Sequence, residues 1–318
     1  ADMVKEFDEA QGDPELLRKF VNTCLAELWK PIGQESFANE GLLARAEGYG
    51  PEDLPEAVVA ITGFCDVQGN RLEVQLVGWG QAEESWPFLY VVIPRDPGQA
   101  DAWRELRELL GRTFRTRDGR VLRIGAFGID TGYHGSQVHA FCRRNRGRRI
   151  FPTKGMGGKR ALWTGRAGKA KTGDPVFVIG TDAGKDAVMS RLAIAEPGPG
   201  YIHFPADDMF GADYFAQLTA SERRVQRKRG GVTIAVWEEI PGKRNEALDT
   251  MVGALAVRRS LPKAIQRSLE YAVAPAVTPA PAKPAADAER PAEQAPEPRP
   301  APSPAPRSRG WLGGKKWF

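Results

Sequence analysis

Asp66, Asp130 and Asp249 are the residues whose types and positions most directly suggest chemistry. Asp66 ends the apolar run AVVAITGFCD, and Asp130 ends the run VLRIGAFGID. Asp249 lies in RNEALDTMVGALAV, where Leu248, Met251, Val252 and Leu255 recur as an apolar helical stripe. Gly253 and Ala256, on the flank that holds Asp249, are small enough to let that helix approach a sheet closely. Carboxylate oxygens are the ligands that hard divalent cations prefer. Two such ions about 3.5–4 Å apart activate a water and stabilise the leaving oxygen in phosphodiester cleavage. The three acids are therefore expected to meet in one crevice and hold two Mg2+ or Mn2+ ions. Each acid also has a purely structural use. Asp66 would open a hairpin turn, Asp130 would start an Asx-turn before Gly132, and Asp249 would be an ordinary helix-surface residue.

Around these acids stand possible helpers. His134 follows Asp130 by four residues and would orient water, ligate metal or touch substrate. Lys185, near a helix start, would reach a phosphate, assisted by the helix N-terminus. Glu246 precedes Asp249 by three residues and so shares its helix face. Cys65, next to Asp66, points to the other side of its strand and packs in the core. Trp79, Trp86 and Trp103 read as core or sheet-surface aromatics.

The elements that must position these residues follow from periodicity. Strands are expected over 57–66, 71–79 (alternating, hence half-buried), 86–94, 121–130, 176–180 and 232–239. Gly69-Asn70 supplies hairpin turn chemistry between the first two. Helices are expected over 14–29, 101–111, 136–144, 183–195, 211–219 and 245–259. Three meandering strands, then alternating helices and strands, then a closing helix, is the layout of an α/β ribonuclease H-like fold, a mixed sheet flanked by helices. Asp66 and Asp130 would then end adjacent strands.

The chain has 318 residues with 45 Lys+Arg against 40 Asp+Glu, long enough for one large or two ordinary domains. No apolar run approaches the roughly 20 residues of a membrane helix. Three cysteines at wide spacings argue against a disulfide framework or a zinc knuckle. The positive charge is clustered. Residues 143–171 contain eleven Lys and Arg and no acid, and Arg223, Arg224, Arg227, Lys228 and Arg229 form a second group. Arg143, Arg144, Lys154, Lys159, Arg160, Lys169 and Lys171 are candidates to grip a phosphate backbone without reading sequence. The glycine-rich stretch 154–174 reads as a long basic flap. From Ala272 to Pro306, 23 of 35 residues are Pro or Ala, a composition that forms a semi-extended tether. The tip RSRGWLGGKKWF is basic and aromatic, as a docking peptide would be. The expected organisation is a helical arm or linker (1–50), a nuclease-type domain (51–262), a Pro/Ala-rich linker (263–306) and a docking tip (307–318).

Seven stretches carry a family resemblance: FVNTCLAELW (20–29), TGFCDVQGNRLEVQLVGWGQAEESW (62–86), IDTGYHGSQVHAF (129–141), GTDAGKDAV (180–188), HFP (203–205), QLTASE (217–222) and NEALDTMVGALA (245–256). Together they resemble the C-terminal nuclease half of the large terminase subunit of tailed phages, of the lambda-like class. The resemblance implies a ribonuclease H-like, two-metal nuclease that cuts concatemeric double-stranded DNA during genome packaging in the host cytoplasm. Its first acid matches Asp66 and its helix acid Asp249. Asp130 is the natural second acid, with Asp182 and Glu246 as nearby candidates. The implied partners are DNA, the small terminase subunit and the portal or prohead, the last through the C-terminal tail, with no membrane. The family's packaging ATPase needs a phosphate-binding loop. GTDAGKD has one residue too few between its glycines, and Asp186 stands where Ser or Thr is required. The chain therefore reads as the nuclease portion without its motor. Two other readings stay open: a resolvase or transposase nuclease on the same fold, and a non-catalytic DNA-binding and portal-docking module.

Overall fold

The computed structural model describes residues 39–170, 173–229 and 232–269, together with Thr23. The expected arm over 14–29 (Thr23 apart), most of the tether, the docking tip and Lys171 lie outside the described residues.

A short helix α1 (Asn39–Leu43) and strand β1 (Ala46–Glu47) lead into the sheet strands β2 (Ala60–Val67), β3 (Leu72–Trp79) and β4 (Ser85–Ile93). Helix α2 (Ala100–Gly111), the short strand β5 (Thr113–Arg115), strand β6 (Val121–Asp130), helix α3 (Gly135–Arg144) and strand β7 (Ile150–Met156) follow. Next come β8 (Trp163–Lys169), β9 (Pro175–Gly180), α4 (Thr181–Leu192), β10 (Phe204–Pro205) and α5 (Ala212–Thr219). The described part closes with β11 (Glu222–Arg229), β12 (Val232–Glu239), α6 (Glu246–Arg258) and α7 (Lys263–Leu269).

The main sheet has the order β4-β3-β2-β6-β7-β9-β8, with β5 paired to β6. β2, β3 and β4 form an antiparallel meander, whereas β2, β6, β7 and β9 run parallel. This is the mixed ribonuclease H-like sheet expected from the element order. The Gln68–Arg71 turn joins β2 to β3, closed by the Gln68 N–H donating to the Arg71 carbonyl at 3.0 Å.

Both faces of the sheet are covered, which explains one departure from expectation. Alternation in RLEVQLVGW suggested a half-buried strand, yet every residue of β3 is buried. Leu72, Val74 and Leu76 pack with α2 and α3 on one face. On the other face α6 lies over β2 and β3, so Glu73 and Gln75 are fully buried beneath it. Gln75 is satisfied there by Thr250 at 2.8 Å and Tyr214 at 2.9 Å.

The approach of α6 depends on missing side chains. A Cβ at Gly253 would lie 2.1 Å from the Phe64 ring, so helix and strand meet where glycine leaves room. Thr62 Oγ1 donates to the Ala254 carbonyl at 2.8 Å, pinning β2 to the same turn of α6. Burial of large apolar side chains in this layer, each contributing about 1.5–3 kcal/mol, holds α4, α5 and α6 on the sheet.

Two further expectations change, and a basic group with no element assigned proves to be a strand. The stretch 154–174 is not one loop: β7 runs to Met156 and β8 forms the exposed edge of the sheet, because Trp163 stacks on Phe177 of β9. The basic group at 223–229 is β11, paired antiparallel to β12. Residues 263–269 are helical, and Leu269 is buried, at the start of the stretch 263–306 expected to be linker.

Candidate active site

The carboxyl ends of β2 and β6 lie side by side. Cys65 pairs with Ile129 in parallel register, so one residue further Asp66 and Asp130 are neighbours on the same face. Across the antiparallel pair, Asp66 stands opposite Glu73. An acid row thus crosses β6, β2 and β3. The first turn of α6 adds Glu246 and Asp249 from above, where the positive end of the helix dipole favours carboxylates. Cys65, on the other face, is fully buried in the core, as its position in the strand implied.

The five acids are not equivalent. Glu73 and Glu246 share two guanidinium groups. Arg71 bridges them at 2.6 Å to each, and Arg244 reaches Glu73 at 2.6 Å and Glu246 at 3.2 Å. The Tyr90 hydroxyl also donates to Glu73. Two positive charges therefore balance two negative ones.

Asp66, Asp130 and Asp249 have far less compensation. Asp66 is 8% exposed and accepts a hydrogen bond from Gln68 Nε2 at 2.5 Å. Burial, followed by the charge of Asp249, pushes its pKa up to about 8, with Asp130 adding to the effect. Burial also raises Asp130, against backbone N–H donors from Gly132 and Thr131 and the charge of Lys154. The Gly132 N–H lies 2.6 Å from Asp130 Oδ2, so the Asx-type turn forms beside the site. Asp249 is pushed up to about 6 by burial, against the pull of Lys185, while Glu222 and Asp130 raise it. Asp66 thus feels both Asp249 and Asp130, and Asp249 feels Asp130.

Lys185 sits in the second turn of α4, with its side chain buried. It pairs with Glu222 and lies 3.5 Å from Asp249 Oδ1. Burial opposes its charge, but Asp249 and Glu222 outweigh burial and raise its pKa. It is therefore turned inward to the acids. Asn245 Nδ2 bridges the same pair, 3.0 Å from Glu222 and 3.1 Å from Asp249.

The donor type suits a hard divalent cation: oxygen ligands, crowded and short of positive charge. Among the described residues, no three His, Cys, Asp or Glu side chains are grouped closely enough to hold a metal ion as they stand.

The remaining expected residues divide by position. His134, in a left-handed conformation, caps the start of α3, and its Nε2 is 3.2 Å from the Gly69 carbonyl of the β2–β3 turn. That contact ties two loops at the rim of the site. Asp182 opens α4 beside Gly157. Lys154 ends near Asp130, since Thr153 pairs with Asp130, and Lys159 and Arg160 follow in the β7–β8 connection at this same end. Arg143 and Arg144 finish α3 at the opposite end of the sheet, where Arg143 pairs with Asp174 at 2.7 Å. Lys169 pairs with Pro175 at the start of β9, also away from the acids. The basic candidates therefore do not form one surface.

Sequence reasoning missed Glu73, Arg71, Arg244, Gln68 and Glu222. Glu73 had a signal, a polar residue in register with Asp66 across a hairpin. Glu222 had none, because only the fold brings α5's end to α4 and α6. The three tryptophans are buried, as expected.

Strand order and acid row define a ribonuclease H-like domain with a carboxylate cluster at the ends of its central strands. Residues 1–267 match the family described as the endonuclease domain of the terminase large subunit gpA, and the chain belongs to that family. It is 32% identical over 272 residues to the terminase large subunit of Escherichia phage lambda, covering 81% of this chain and 41% of that protein. It is 28% identical over 266 residues to the terminase large subunit of Enterobacteria phage P21, with the same coverage of 81% and 41%. The chain thus spans about two-fifths of the length of these curated relatives. A solved structure, a mutant nuclease domain of the large terminase subunit gp2 of bacterial virus Sf6 with manganese, aligns at a TM-score of 0.40 and 13% identity. That alignment covers 68% of this chain and 96% of the Sf6 chain.

Proposed function

We propose that this chain is a metal-dependent DNA endonuclease that cuts concatemeric double-stranded DNA during viral genome packaging in the host cytoplasm. The observation that supports the reading is that Asp66 and Asp130 stand at the ends of adjacent parallel strands, with the first turn of α6, which carries Asp249, over β2. Their oxygens would hold two Mg2+ or Mn2+ ions. When bound, such a pair supplies an activated water and stabilises the departing oxygen.

The chain's own groups do the rest. Glu73 and Glu246, locked to Arg71 and Arg244, stiffen the junction of α6 with β3 and keep Asp249 facing Asp66. Lys185 and Asn245 orient the Asp249 carboxylate. His134 braces the rim through Gly69. Lys154, Lys159 and Arg160, at the acid end, would engage the phosphate backbone. Arg143, Arg144 and Lys169, at the other end, would contact a longer stretch of duplex. Such contacts position DNA without reading its sequence, so target choice would come from the small terminase subunit. Residues 307–318 would dock on the portal of the prohead, and deleting them should abolish portal binding while sparing nuclease activity. Among the described residues no helix is long and apolar enough to cross a membrane.

Plasmid digestion with Mn2+ tests the reading. The native chain should nick and linearise supercoiled DNA, and Asp66→Asn or Asp249→Asn should abolish cleavage while leaving DNA binding. Cleavage that survives both substitutions rejects it.

A further inference from the structure

At the pole of the sheet opposite the acids, three arginines converge on one carboxylate. The Gln81–Glu83 turn follows β3. Glu83 Oε1 lies 2.9 Å from Arg258 Nη2 and 3.0 Å from Arg259 Nη2, and Oε2 contacts Arg191 Nη2. The side chains of Arg191 and Arg258 are 9% and 7% exposed, that of Arg259 39%. Two of their nitrogens, Arg191 Nη1 and Arg258 Nε, are buried with no hydrogen-bond partner among the described residues.

The charge does not balance. Three guanidinium groups meet one carboxylate, an excess of two positive charges. Arg191 and Arg258 also stand in the last turns of α4 and α6. Each helix C-terminus supplies roughly half a negative charge, so together they offset about one. Roughly one positive charge is left over the cluster, and Arg259, the exposed member, is where an incoming anion would meet it. Burial and the charges of Arg258 and Arg259 push Arg191 down to about 9, which reflects the same excess. The turn that carries Glu83 is held by backbone hydrogen bonds, among them Gly200 N–H to the Ala82 carbonyl at 2.9 Å. Ala82 and Glu83 both have left-handed φ values, 50° and 63°, unfavourable for residues with a Cβ.

We propose that Arg191, Arg258 and Arg259 form an oxyanion site for a phosphate group, in which the Glu83 carboxylate is the resident stand-in that the phosphate displaces. Guanidinium forks match phosphate oxygens closely, and the unpartnered Nη1 and Nε atoms offer further donors. The site is separate from the acids: Asp249 and Arg258 are nine residues apart on α6, about 13 Å of helix rise. The phosphate could be a free anion or part of a nucleic-acid backbone. Arg259 alone of the three arginines is substantially exposed, so a phosphate would reach the site past it.

Equilibrium dialysis of labelled inorganic phosphate against the intact chain, at ionic strength fixed with chloride, tests this. Glu83→Gln removes the competing carboxylate, so it should bind one phosphate at least about tenfold more tightly than the native chain. Adding Arg259→Gln to Glu83→Gln should abolish that gain, which separates the site from other basic patches. Equal phosphate binding by the native chain and Glu83→Gln overturns the proposal. Should Glu83→Gln fail to fold, phosphate must rescue its refolding where chloride of equal ionic strength does not, and failure of that rescue also overturns it. A short duplex that displaces the labelled phosphate from Glu83→Gln assigns the site to backbone phosphate. Retention of the label assigns it to the free anion, and both outcomes uphold the oxyanion site.

Discussion

Five carboxylates share one end of the sheet, and they fall into two groups that behave as opposites. Glu73 and Glu246 are each bound to both Arg71 and Arg244, and they form a closed ionic square. Burial raises the pKa of Asp66, Asp130 and Asp249 alike, the charges of Asp249 and Asp130 add to the rise at Asp66, and Asp130 adds to that at Asp249, with Lys185 as the buried cation beside Asp249 and Lys154 acting on Asp130. The first group is built to hold position. The second stores repulsion that a divalent cation would relieve. Deep burial by itself does not make an acid functional, since Glu73 is the most buried of the five polar groups compared here and is fully paired.

Several measurements would break or sharpen that contrast. Removing a member of the uncompensated group should cost function with little cost to stability. Asp66→Asn is expected to lower Mn2+-dependent plasmid cleavage by at least about 100-fold, roughly 2.7 kcal/mol in the barrier. Without metal its urea midpoint should equal or exceed that of the native chain, because a crowded charge has gone. Removing a member of the paired group should do the reverse. Glu73→Ala leaves the Tyr90 hydroxyl without its acceptor and two partly exposed arginines with Glu246 alone, and should destabilise the fold by about 1–3 kcal/mol in urea unfolding.

The contrast also depends on how closely α6 approaches the sheet. Gly253→Ala inserts a methyl group 2.1 Å from the Phe64 ring. The helix must shift, at a cost of about 1–3 kcal/mol. Because α6 carries Asp249, cleavage should fall together with stability, and unchanged cleavage would show that the acids tolerate the displacement.

The smallest effect concerns a third titratable group remote from both. His203 lies 2.6 Å from Glu47 and 2.8 Å from Glu84, stacked on Trp86. Burial opposes its protonation, but the hydrogen bonds to Glu84 and Glu47 outweigh burial and raise its pKa above 6.5. A raised histidine pKa means the folded state binds the proton more tightly than the unfolded chain does. Its stabilising contribution is then full below about pH 6.5 and is lost as pH rises through the folded-state value. Thermal unfolding followed upward from pH 6 should show this decline in the native chain and a flatter profile in His203→Gln.

Much of the fold was legible because its signals are local. The runs ending in Asp66 and Asp130 are strands whose last residues are those acids or lie one residue from the end, and β6 spans Val121–Asp130 as its apolar pattern indicated. Gly69 marked the hairpin, and the stripe with Gly253 marked the helix that closes on β2. What was illegible depends on contacts made at a distance. Glu73 and Gln75 alternate with apolar residues just as solvent-facing residues would, and the identity of what covers them is written 170 residues later, in Thr250 and Arg244. β8 lacks apolar periodicity because it is an exposed edge, ordered through Trp163 stacking on Phe177. Lys185 sits near a helix start by sequence and turns inward only because Glu222 and Asp249 meet it there.

The central claim is that Asp66, Asp130 and Asp249 form one binding place for divalent ions. Titration calorimetry of Mn2+ into the native chain and into Asp66→Asn, Asp130→Asn and Asp249→Asn tests it most directly. Saturable binding in the native chain, weakened by each of the three substitutions, is the expected result. Native-like Mn2+ binding in Asp66→Asn and Asp249→Asn, or no binding in the native chain, would contradict it.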